Sequence, residues 1–289
     1  MNETTPKAVM ITGASSGIGH ACTTYLAGRG FQVYAGVRRD EDAERLQSED
    51  TAIHPVRIDV TDETAVAQAV ATIAAATKGH GLAGLVNNAG IAVAGPLEYL
   101  DSDDLRRQLE VNVIGVQTAT RAFLPLLRAG QGRIVNMGSV SGYMVYPLVG
   151  PYAASKHALA ALSIALRLEL APWKIPVSLI EPGVIRTAIW DKTAQQADAQ
   201  RSTLPPEAED RYGPLITFTR QHVDRMAQRG IPPERVARTV HRALTARRPK
   251  ARYPVGLDAW AQLALVRCIP ERIRLAAFGW GLRYMFTRR

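Results

Sequence analysis

Short apolar runs alternate with segments that have the spacing of amphipathic helices along most of the chain. A Val/Ile-rich run at 8–12 is followed by a helical pattern at 17–29, and a longer helical stretch occupies 101–128. The predicted strands cover residues 8–12, 32–37, 54–60, 82–88, 133–137, 176–182 and 251–256. The helical patterns between them lie at 17–29, 40–48, 62–77, 101–128, from Tyr152 onward and at 232–246. This order predicts an α/β fold, a doubly wound parallel sheet with helices on both faces, because parallel strands need crossover helices.

Residues 188–230 break this rhythm because they are polar and contain the run "LPPEAED". Such a segment is either a surface insertion or a lid over a cleft. We favour the lid, since the segment follows the carboxyl end of a strand, where doubly wound sheets bind ligands. With a helical tail at 257–289, the pattern predicts one domain that spans residues 1–289.

Composition narrows the class of protein. The chain has 289 residues, of which 47% are hydrophobic and 21% charged, enough to bury one large core. Its two cysteines, Cys22 and Cys268, show neither disulfide nor metal-ligand spacing, so we expect free thiols and no metal site. The sequence has no signal-peptide pattern and no apolar stretch near the ~20 residues of a membrane span, which predicts a cytoplasmic protein.

The formal net charge of +9 is uneven along the chain. The acids after Arg211 are few: Asp224, Glu234, Asp258 and Glu271. This excess of positive charge fits an anionic partner or plain solubility. Nucleic acid is not expected as a partner, because no recognition motif accompanies the charge.

Three glycines follow the first predicted strand in the stretch "VMITGASSGIGHA". Gly13, Gly17 and Gly19 lie at the turn into a helix, where bare backbone can approach a pyrophosphate and the helix N-terminus attracts anions. The strand, glycines and helix in that order predict dinucleotide binding. At the end of the second strand, Arg38 and Arg39 precede Asp40, which favours NADP over NAD unless the arginines only face solvent.

Tyr152 and Lys156 begin an alanine-rich helical run, "PYAASKHALAAL". A spacing of four residues places both side chains on one helix face, one turn apart. Alone, such a pair more often lies at the surface, with the apolar parts of both side chains packed on the core and their polar ends in solvent. The surrounding sequence must therefore decide whether the pair belongs to a functional site.

Seven short motifs resemble the short-chain dehydrogenase/reductase family in their order and spacing. They are "TGASSGIG" at 12–19, "DV" at 59–60, "NNAG" at 87–90, Asn112 in "EVNVIG", Ser139 in "NMGSVSG", "YAASK" at 152–156 and "EPGVIRT" at 181–187. The resemblance covers about residues 7–190 and implies a Rossmann fold and a nicotinamide-dependent oxidoreductase. It implies a catalytic set of Asn112, Ser139, Tyr152 and Lys156.

The resemblance also implies a role for each of the four. Tyr152 exchanges a proton with the substrate oxygen, and Lys156 stabilises its phenolate and bonds the nicotinamide ribose, since a phenol of pKa ~10 is a poor base at neutral pH. Ser139 holds the substrate oxygen, while Asn112 kinks its helix and holds a water for proton relay. No metal is required, because the hydride comes from the nicotinamide.

The remaining predicted positions concern the two ligands. The cofactor-binding set is Gly13, Ser15, Ser16, Gly17, Ile18, Gly19, Arg38, Asp59, Val60, Asn88, Ala89, Gly90, Tyr152, Lys156, Pro182, Gly183, Ile185 and Thr187. The segment 140–150 is expected to form an apolar wall of the substrate site, although core packing explains its side chains equally well. The substrate-binding set is Ser139, Ser141, Tyr143 and Tyr146.

The tail resembles, more loosely, the retinol, hydroxysteroid and 3-hydroxybutyrate dehydrogenase branch, in which an Arg-Tyr pair precedes Gly-x-Asp-Ala. This resemblance implies an apolar alcohol or carbonyl substrate of steroid or retinoid bulk. A non-catalytic NADP-sensing protein on the same fold is the alternative, which the intact catalytic set disfavours.

Two kinds of partner follow from the surface pattern. The tail aromatics Trp260, Phe278, Trp280, Tyr284 and Phe286 alternate with arginines (Arg267, Arg272, Arg274, Arg283, Arg288 and Arg289). They suit peripheral contact with an anionic membrane, but packing against protein is favoured. The family resemblance implies a homodimer or homotetramer formed through the helices that carry Asn112 and Tyr152.

Overall fold

The protein was analysed as a computed structural model that describes residues 7–187, 193–195, 197–198, 201–202 and 204–287. Its sheet has seven parallel strands in the order β3-β2-β1-β4-β5-β6-β7. They are β1 Ala8–Ile11, β2 Gln32–Val37, β3 Ile53–Arg57, β4 Gly84–Asn87, β5 Arg133–Met137, β6 Val177–Pro182 and β7 Arg252–Val255. The predicted doubly wound parallel sheet is therefore confirmed, and its order reverses beside β1, where such sheets bind ligands.

Helices connect the strands and cover both faces of the sheet. They are α1 Gly17–Ala27, α2 Asp40–Glu49, α3 Glu63–Thr77, α4 Ser102–Leu109, α5 Gly115–Ala129, α6 Gly150–Glu169, α7 Pro206–Arg229, α8 Glu234–Thr245, α9 Leu257–Cys268 and α10 Glu271–Thr287. The predicted bounds differ from these by a few residues at most of the ends, because apolar periodicity does not record where the backbone hydrogen bonds of an element stop.

The core forms two apolar layers, one on each face of the sheet. Val9 and Ile11 of β1 face the layer that contains α1 and α8, whereas Met10 faces the layer that contains α3 and α5. This division follows from the two-residue period of a strand. Both layers are buried, which explains why the strands lack polar alternation.

The predicted helix at 101–128 is three pieces. Helix α4 ends at Leu109, a π-helical turn spans Glu110–Ile114, and α5 begins at Gly115. A π turn inserts an extra residue into the helical ladder and is typical of functional sites. The turn contains Asn112, so the bend falls at the residue for which the family resemblance implied one.

The polar composition of the predicted lid segment, 188–230, did not indicate the long helix that the structure has there. Helix α7 occupies 24 of its residues, with apolar side chains on one face. Residues 188–192, 196, 199–200 and 203 of the lid lie outside the described residues, as do Arg288, Arg289 and the side chains of Tyr284 and Phe286 in the tail.

Candidate active site

A cavity of about 1910 Å³ opens at the carboxyl ends of the strands. Its floor is formed by the ends of β1, β2, β5 and β6, and its roof by α7 and α10. The predicted site residues that line it are Gly13, Ser15, Ser16, Gly17, Ile18, Arg38, Asp59, Val60, Asn88, Ala89, Gly90, Ser139, Ser141, Tyr146, Tyr152, Lys156, Pro182, Gly183, Ile185 and Thr187. The sequence motifs therefore converge on one space.

The glycine turn forms a cradle of bare backbone at one end of this cavity. Gly13 has φ +64°, and a Cβ atom there would lie 2.8 Å from the Cα of Ala89. Gly19 lies behind the turn rather than on the cavity, and a Cβ atom there would lie 2.1 Å from the carbonyl oxygen of Gly13. Helix α1 begins at this turn with no acidic side chain in its first turn. The cradle thus fits a pyrophosphate, which binds backbone N–H groups at a helix N-terminus.

Asn88 and Thr12 brace the cradle from the neighbouring strand. The amide of Asn88 donates to the carbonyl oxygens of Thr12 and Gly13, at 3.1 and 3.0 Å. In return, the hydroxyl of Thr12 accepts from the backbone N–H groups of Asn88 and Ala89, both at 3.0 Å. These bonds join the ends of β1 and β4 and fix the spacing of the turn.

Arginine and aspartate side chains meet at the end of β2, where Arg39 pairs with Asp42 at 3.1 Å. Arg38 and Arg39 both line the cavity, with their side chains 73% and 71% exposed. Arg38 lies 3.8 Å from the carboxylate of Asp59. Burial raises the pKa of Asp59, but hydrogen bonds from Thr61 and the charge of Arg38 outweigh it, so the net pKa is lowered. Asp40 is paired with Arg57 at 2.9 Å, and the cavity lining does not include it.

Tyr152, Lys156 and Ser139 meet at the centre of the cavity. Both α6 side chains face the cavity, and the Lys156 ammonium lies 5.5 Å from the centre of the Tyr152 ring. Lys156 donates to the carbonyl oxygen of Met137, at 2.8 Å. Ser139, just after β5, hydrogen-bonds the phenol of Tyr152. The surface-pair interpretation of these two α6 residues is thus wrong, since Lys156 is buried.

Burial shifts the pKa values of Lys156 and Tyr152. It lowers the pKa of Lys156 from 10.5 to about 8, because the ammonium loses water. It raises the pKa of Tyr152, an effect that the hydrogen bond from Ser139 partly offsets. A lysine with a pKa near 8 is still mostly protonated at pH 7, so its positive charge remains available to Tyr152.

Asn112 is buried behind this centre and does not line the cavity. Its side chain accepts from the N–H of Ile91 at 2.9 Å and donates to the carbonyl oxygen of Ile91 at 3.0 Å and to the hydroxyl of Ser155 at 3.1 Å. Ser155 donates in turn to the carbonyl oxygen of Tyr152 at 2.7 Å. The side chain therefore ties the π turn to the helix that carries Tyr152.

The predicted substrate wall is only partly on the cavity. Ser141 and Tyr146 line it, and the Tyr146 ring meets Phe278 of α10 edge to face at 5.8 Å between centroids. Tyr143 is a correction, because it does not line the cavity: its hydroxyl donates to the carbonyl oxygen of Ala259, at 3.2 Å. The sequence of this loop does not show which of its side chains face the cavity.

Sequence reasoning missed an apolar roof over the cavity. Its side chains come from α7 and α10, and they are Leu215, Phe218, Val223, Met226, Ala277, Phe278 and Leu282. The α7 members recur at helical spacing, a signal that the polar average of the segment concealed. The roof gives the cavity one polar end, at the glycine turn, and one apolar end.

Helix α7 is joined to the body of the fold at the turn 97–99. The carboxylate of Glu98 accepts from Arg211 at 2.8 Å and from the hydroxyl of Tyr212 at 2.9 Å. The rings of Tyr99 and Tyr212 meet edge to face at 5.9 Å. We name this set the Glu98 clasp. It holds α7 over the cavity through exposed polar contacts.

Two further features concern the described residues. No described helix is long and apolar enough to cross a bilayer. In the same residues, no group of three or more His, Cys, Asp or Glu side chains is arranged to hold a metal ion.

Comparison with known proteins agrees with the resemblance read from the motifs. The profile of a family described as short chain dehydrogenase matches residues 7–198. An NADPH-dependent 3-dehydrocapnine reductase of Ornithobacterium rhinotracheale is 38% identical, and the match covers 91% of this chain and 93% of that protein. Retinol dehydrogenase 5 of Mus musculus is 36% identical, over 95% of this chain and 88% of that protein.

Solved structures resemble the whole fold. A short chain dehydrogenase of Burkholderia cenocepacia in complex with NADP has a TM-score of 0.71 at 27% identity and covers 94% of this chain and 96% of its own. A short chain dehydrogenase/reductase of Burkholderia phymatum in complex with NAD has a TM-score of 0.77 at 27% identity and covers 96% and 97%.

Proposed function

Because the chain belongs to the short-chain dehydrogenase family and is an oxidoreductase of that family, we propose that it transfers hydride between NADP and an apolar alcohol or carbonyl compound. The observation that carries this proposal is the meeting of Tyr152, Ser139 and Lys156 between a backbone cradle and an apolar roof. A polar dinucleotide fits the first region and an apolar substrate fits the second.

The cofactor is held by residues already placed around the polar end. The cradle at Gly13 receives the pyrophosphate, Asp59 and Asn88 border the adenosine, and the loop 182–187 borders the nicotinamide. When bound, the nicotinamide supplies or accepts the hydride.

The proton moves at the phenol oxygen of Tyr152. Ser139 holds the substrate oxygen beside that phenol, so the proton travels a hydrogen-bond length. The Lys156 ammonium stabilises the phenolate electrostatically, and Met137 fixes the ammonium in place. Asn112 acts as a positioning residue through Ser155.

We propose NADP as the preferred cofactor, with NAD as the weaker one. A 2′-phosphate gains charge-assisted hydrogen bonds from Arg38 and Arg39, whereas a 2′-hydroxyl does not need them. The related reductase from Ornithobacterium rhinotracheale is named as NADPH-dependent, which supports the same preference.

The proposed substrate is a large apolar alcohol or its ketone or aldehyde, of steroid or retinoid bulk. Phe218, Met226 and Phe278 offer apolar surface to the same cavity that Tyr152 lines. Each buried methylene of a substrate contributes about 0.8 kcal/mol, so such a roof selects for apolar bulk. The name of the related retinol dehydrogenase is consistent with this class.

Two surface proposals accompany the enzyme, which we place in the cytoplasm. Helix α6 exposes Leu162, Ile164 and Leu168, a surface suited to a homodimer or homotetramer. In the tail, Trp260 and Trp280 are 54% and 65% exposed beside arginines, which suits peripheral contact with an anionic membrane.

The test is reduction of a panel of steroid, retinoid and short-chain carbonyl compounds, followed as loss of absorbance of NADPH or NADH. We expect turnover of the bulky apolar members, faster with NADPH, and a loss of about 10²–10⁴ in kcat for Tyr152→Phe. Tyr25→Phe, on the outer part of α1, is the matched control and keeps full activity. Tight NADPH binding with no turnover of any compound would favour the sensor alternative instead.

A further inference from the structure

The segment 252–259 contains the Arg-Tyr pair and the Gly-x-Asp-Ala pattern, and the proposed function leaves it without a role. We infer that Asp258 is a positioning residue that joins tail helix α9 to the cofactor loop 182–187. This inference rests on the proposed function for the identity of the ligand, but its geometry stands by itself. Asp258 does not line the cavity, whereas Gly183 and Val184 do.

The direct link is one short hydrogen bond. The carboxylate Oδ2 of Asp258 accepts from the backbone N–H of Val184, at 2.7 Å. Because the acceptor is charged, this bond is of the stronger kind in proteins. It fixes the peptide between Gly183 and Val184, which forms part of the cavity wall.

Two glycines leave room for this carboxylate. A Cβ atom at Gly183 would lie 2.0 Å from Oδ2 of Asp258, well inside van der Waals contact. A Cβ atom at Gly256 would lie 2.3 Å from Oδ1, and Gly256 has φ +109°, a conformation that favours glycine. The glycine of the loop and the glycine of the tail pattern are thus both explained by the same side chain.

Backbone hydrogen bonds also hold the loop, whose Ile185 side chain packs in the core. Gly183 donates to the carbonyl oxygen of Val255 at 3.0 Å, and Arg186 donates to that of Ile231 at 3.1 Å. Backbone contacts of this kind depend little on sequence. The bond to Val184 depends on a specific side chain, so a point mutation can remove it while the strand contacts remain.

Helix α9 also contacts the wall of the substrate region. The hydroxyl of Tyr146 donates to the side-chain oxygen of Gln262 at 3.3 Å, and both residues line the cavity. Asp258 lies one turn earlier on the same helix. Its carboxylate therefore connects the element that touches the substrate region to the loop that touches the cofactor.

The first experiment measures amide hydrogen exchange at residues 183–187 in the cofactor-free protein, and the dissociation constant of NADPH by fluorescence. We expect Asp258→Ala to speed exchange of the Val184 amide and to weaken NADPH about tenfold, the effect of one lost charge-assisted hydrogen bond. Asp258→Asn keeps an acceptor oxygen, so we expect it to restore part of the slow Val184 exchange and part of the NADPH affinity. Glu271→Ala, which removes a first-turn acid from the next helix, is the matched control.

The second experiment is a double-mutant cycle with Gly183→Ala. The new methyl group meets the Asp258 carboxylate in the wild type, so it weakens NADPH binding strongly there and much less in the Asp258→Ala background. Equal effects of Gly183→Ala in both backgrounds would overturn the inference. The inference would also be overturned if the Asp258→Ala variant had the same Val184 amide exchange and the same NADPH affinity as the Glu271→Ala control.

The two proposals fail in different ways. A wild-type protein that binds no NADPH refutes the proposed function, while exchange at Val184 still reports on Asp258. If Asp258→Ala does not fold, Asp258→Asn and Gly183→Ala alone decide: unchanged exchange and affinity in both would overturn the inference.

Discussion

The floor and the roof of the cavity are built by opposite physical means. In and directly behind the floor, buried polar groups such as Lys156, Asn112 and Thr12 each have partners at about 3 Å, most of them backbone atoms. The roof consists of apolar side chains on α7 and α10, and exposed polar contacts such as the Glu98 clasp hold α7. A buried polar group without its partner is costly, whereas an apolar contact can rearrange at small cost.

Because of this difference, we expect substitutions in the two regions to change different kinetic quantities. Under the proposed function, the floor holds the atoms that exchange a proton, so we expect changes there to lower kcat or abolish cofactor binding. The roof would touch only the apolar part of a substrate, so we expect changes there to alter KM. Four substitutions test this division, in order of decreasing effect.

Lys156→Met separates activity from stability in the floor. We expect kcat to fall by about 10²–10⁴, because the phenolate of Tyr152 loses its nearby charge. We also expect the variant to be more stable than the wild type at pH 7. Burial of the Lys156 ammonium, which lowers its pKa from 10.5 to about 8, costs the wild type about 3 kcal/mol at this pH. Loss of the hydrogen bond to Met137 costs the variant about 1 kcal/mol, so part of the gain is offset.

The lowered pKa of Lys156 also determines how the stability difference between wild type and variant changes with pH. Between pH 8 and 10.5 the unfolded chain binds the proton and the folded protein does not, so the wild type gains stability relative to the variant as pH rises. Urea unfolding at pH 7 and pH 9.5 measures this. A variant less stable than the wild type at pH 7 would contradict it.

Gly19→Ala tests whether the floor tolerates one added methyl group. The new Cβ atom meets the carbonyl oxygen of Gly13 at 2.1 Å, so the turn must open. We expect the NADPH dissociation constant to rise by about 100-fold, and Tm to fall, since overpacking costs about 1–3 kcal/mol. Gly28→Ala at the other end of α1 meets nothing closer than 3.5 Å and serves as the control. Equal affinity in the two variants would refute the cradle.

Phe218→Ala makes the corresponding change in the roof. The side chain lines the cavity and is 46% exposed, so its removal loses about 1–2 kcal/mol of contact with an apolar substrate. We expect KM for bulky carbonyl compounds to rise about tenfold, with the affinity for NADPH unchanged. Leu275→Ala, on α10 but away from the cavity lining, leaves KM as it was. A fall in kcat alone would break the division between floor and roof.

Glu98→Gln removes the charge of the Glu98 clasp. Exposed ion pairs contribute about 0–1 kcal/mol and are screened by salt. We therefore expect a rise in KM of less than about threefold at low ionic strength, which disappears near 1 M salt. A tenfold change that persists in high salt would show that the clasp is a stronger fastening than its exposure indicates.

The same division explains what the sequence allowed us to predict. Strands buried on both faces leave continuous apolar runs, and a dinucleotide cradle requires glycine, so the sheet and Gly13 are visible in the sequence. The grouping of Tyr152, Lys156 and Ser139 was implied by the family resemblance that the seven motifs carry. Local signals of this kind need no knowledge of distant contacts.

The rest depends on contacts that no local pattern records. Tyr143 and Tyr146 lie three residues apart in one loop, yet only Tyr146 lines the cavity, because the partner of Tyr143 is Ala259, 116 residues away. The bond between Asp258 and Val184 joins residues 74 positions apart. Helix α7 was missed because its polar face outweighs its apolar face in the average.

The brace between Asn88 and Gly13 has a consequence for the synthesis and lifetime of the protein. The two residues lie 75 positions apart, so the cradle does not exist until β4 has paired with β1. A nascent or unfolded chain therefore offers the dinucleotide no site, and the ligand favours only the native state. By mass action, NADPH at 100 times its dissociation constant adds about 2.7 kcal/mol to the free energy of unfolding. The amount of folded enzyme in a cell is thereby coupled to the supply of the nucleotide on which it acts.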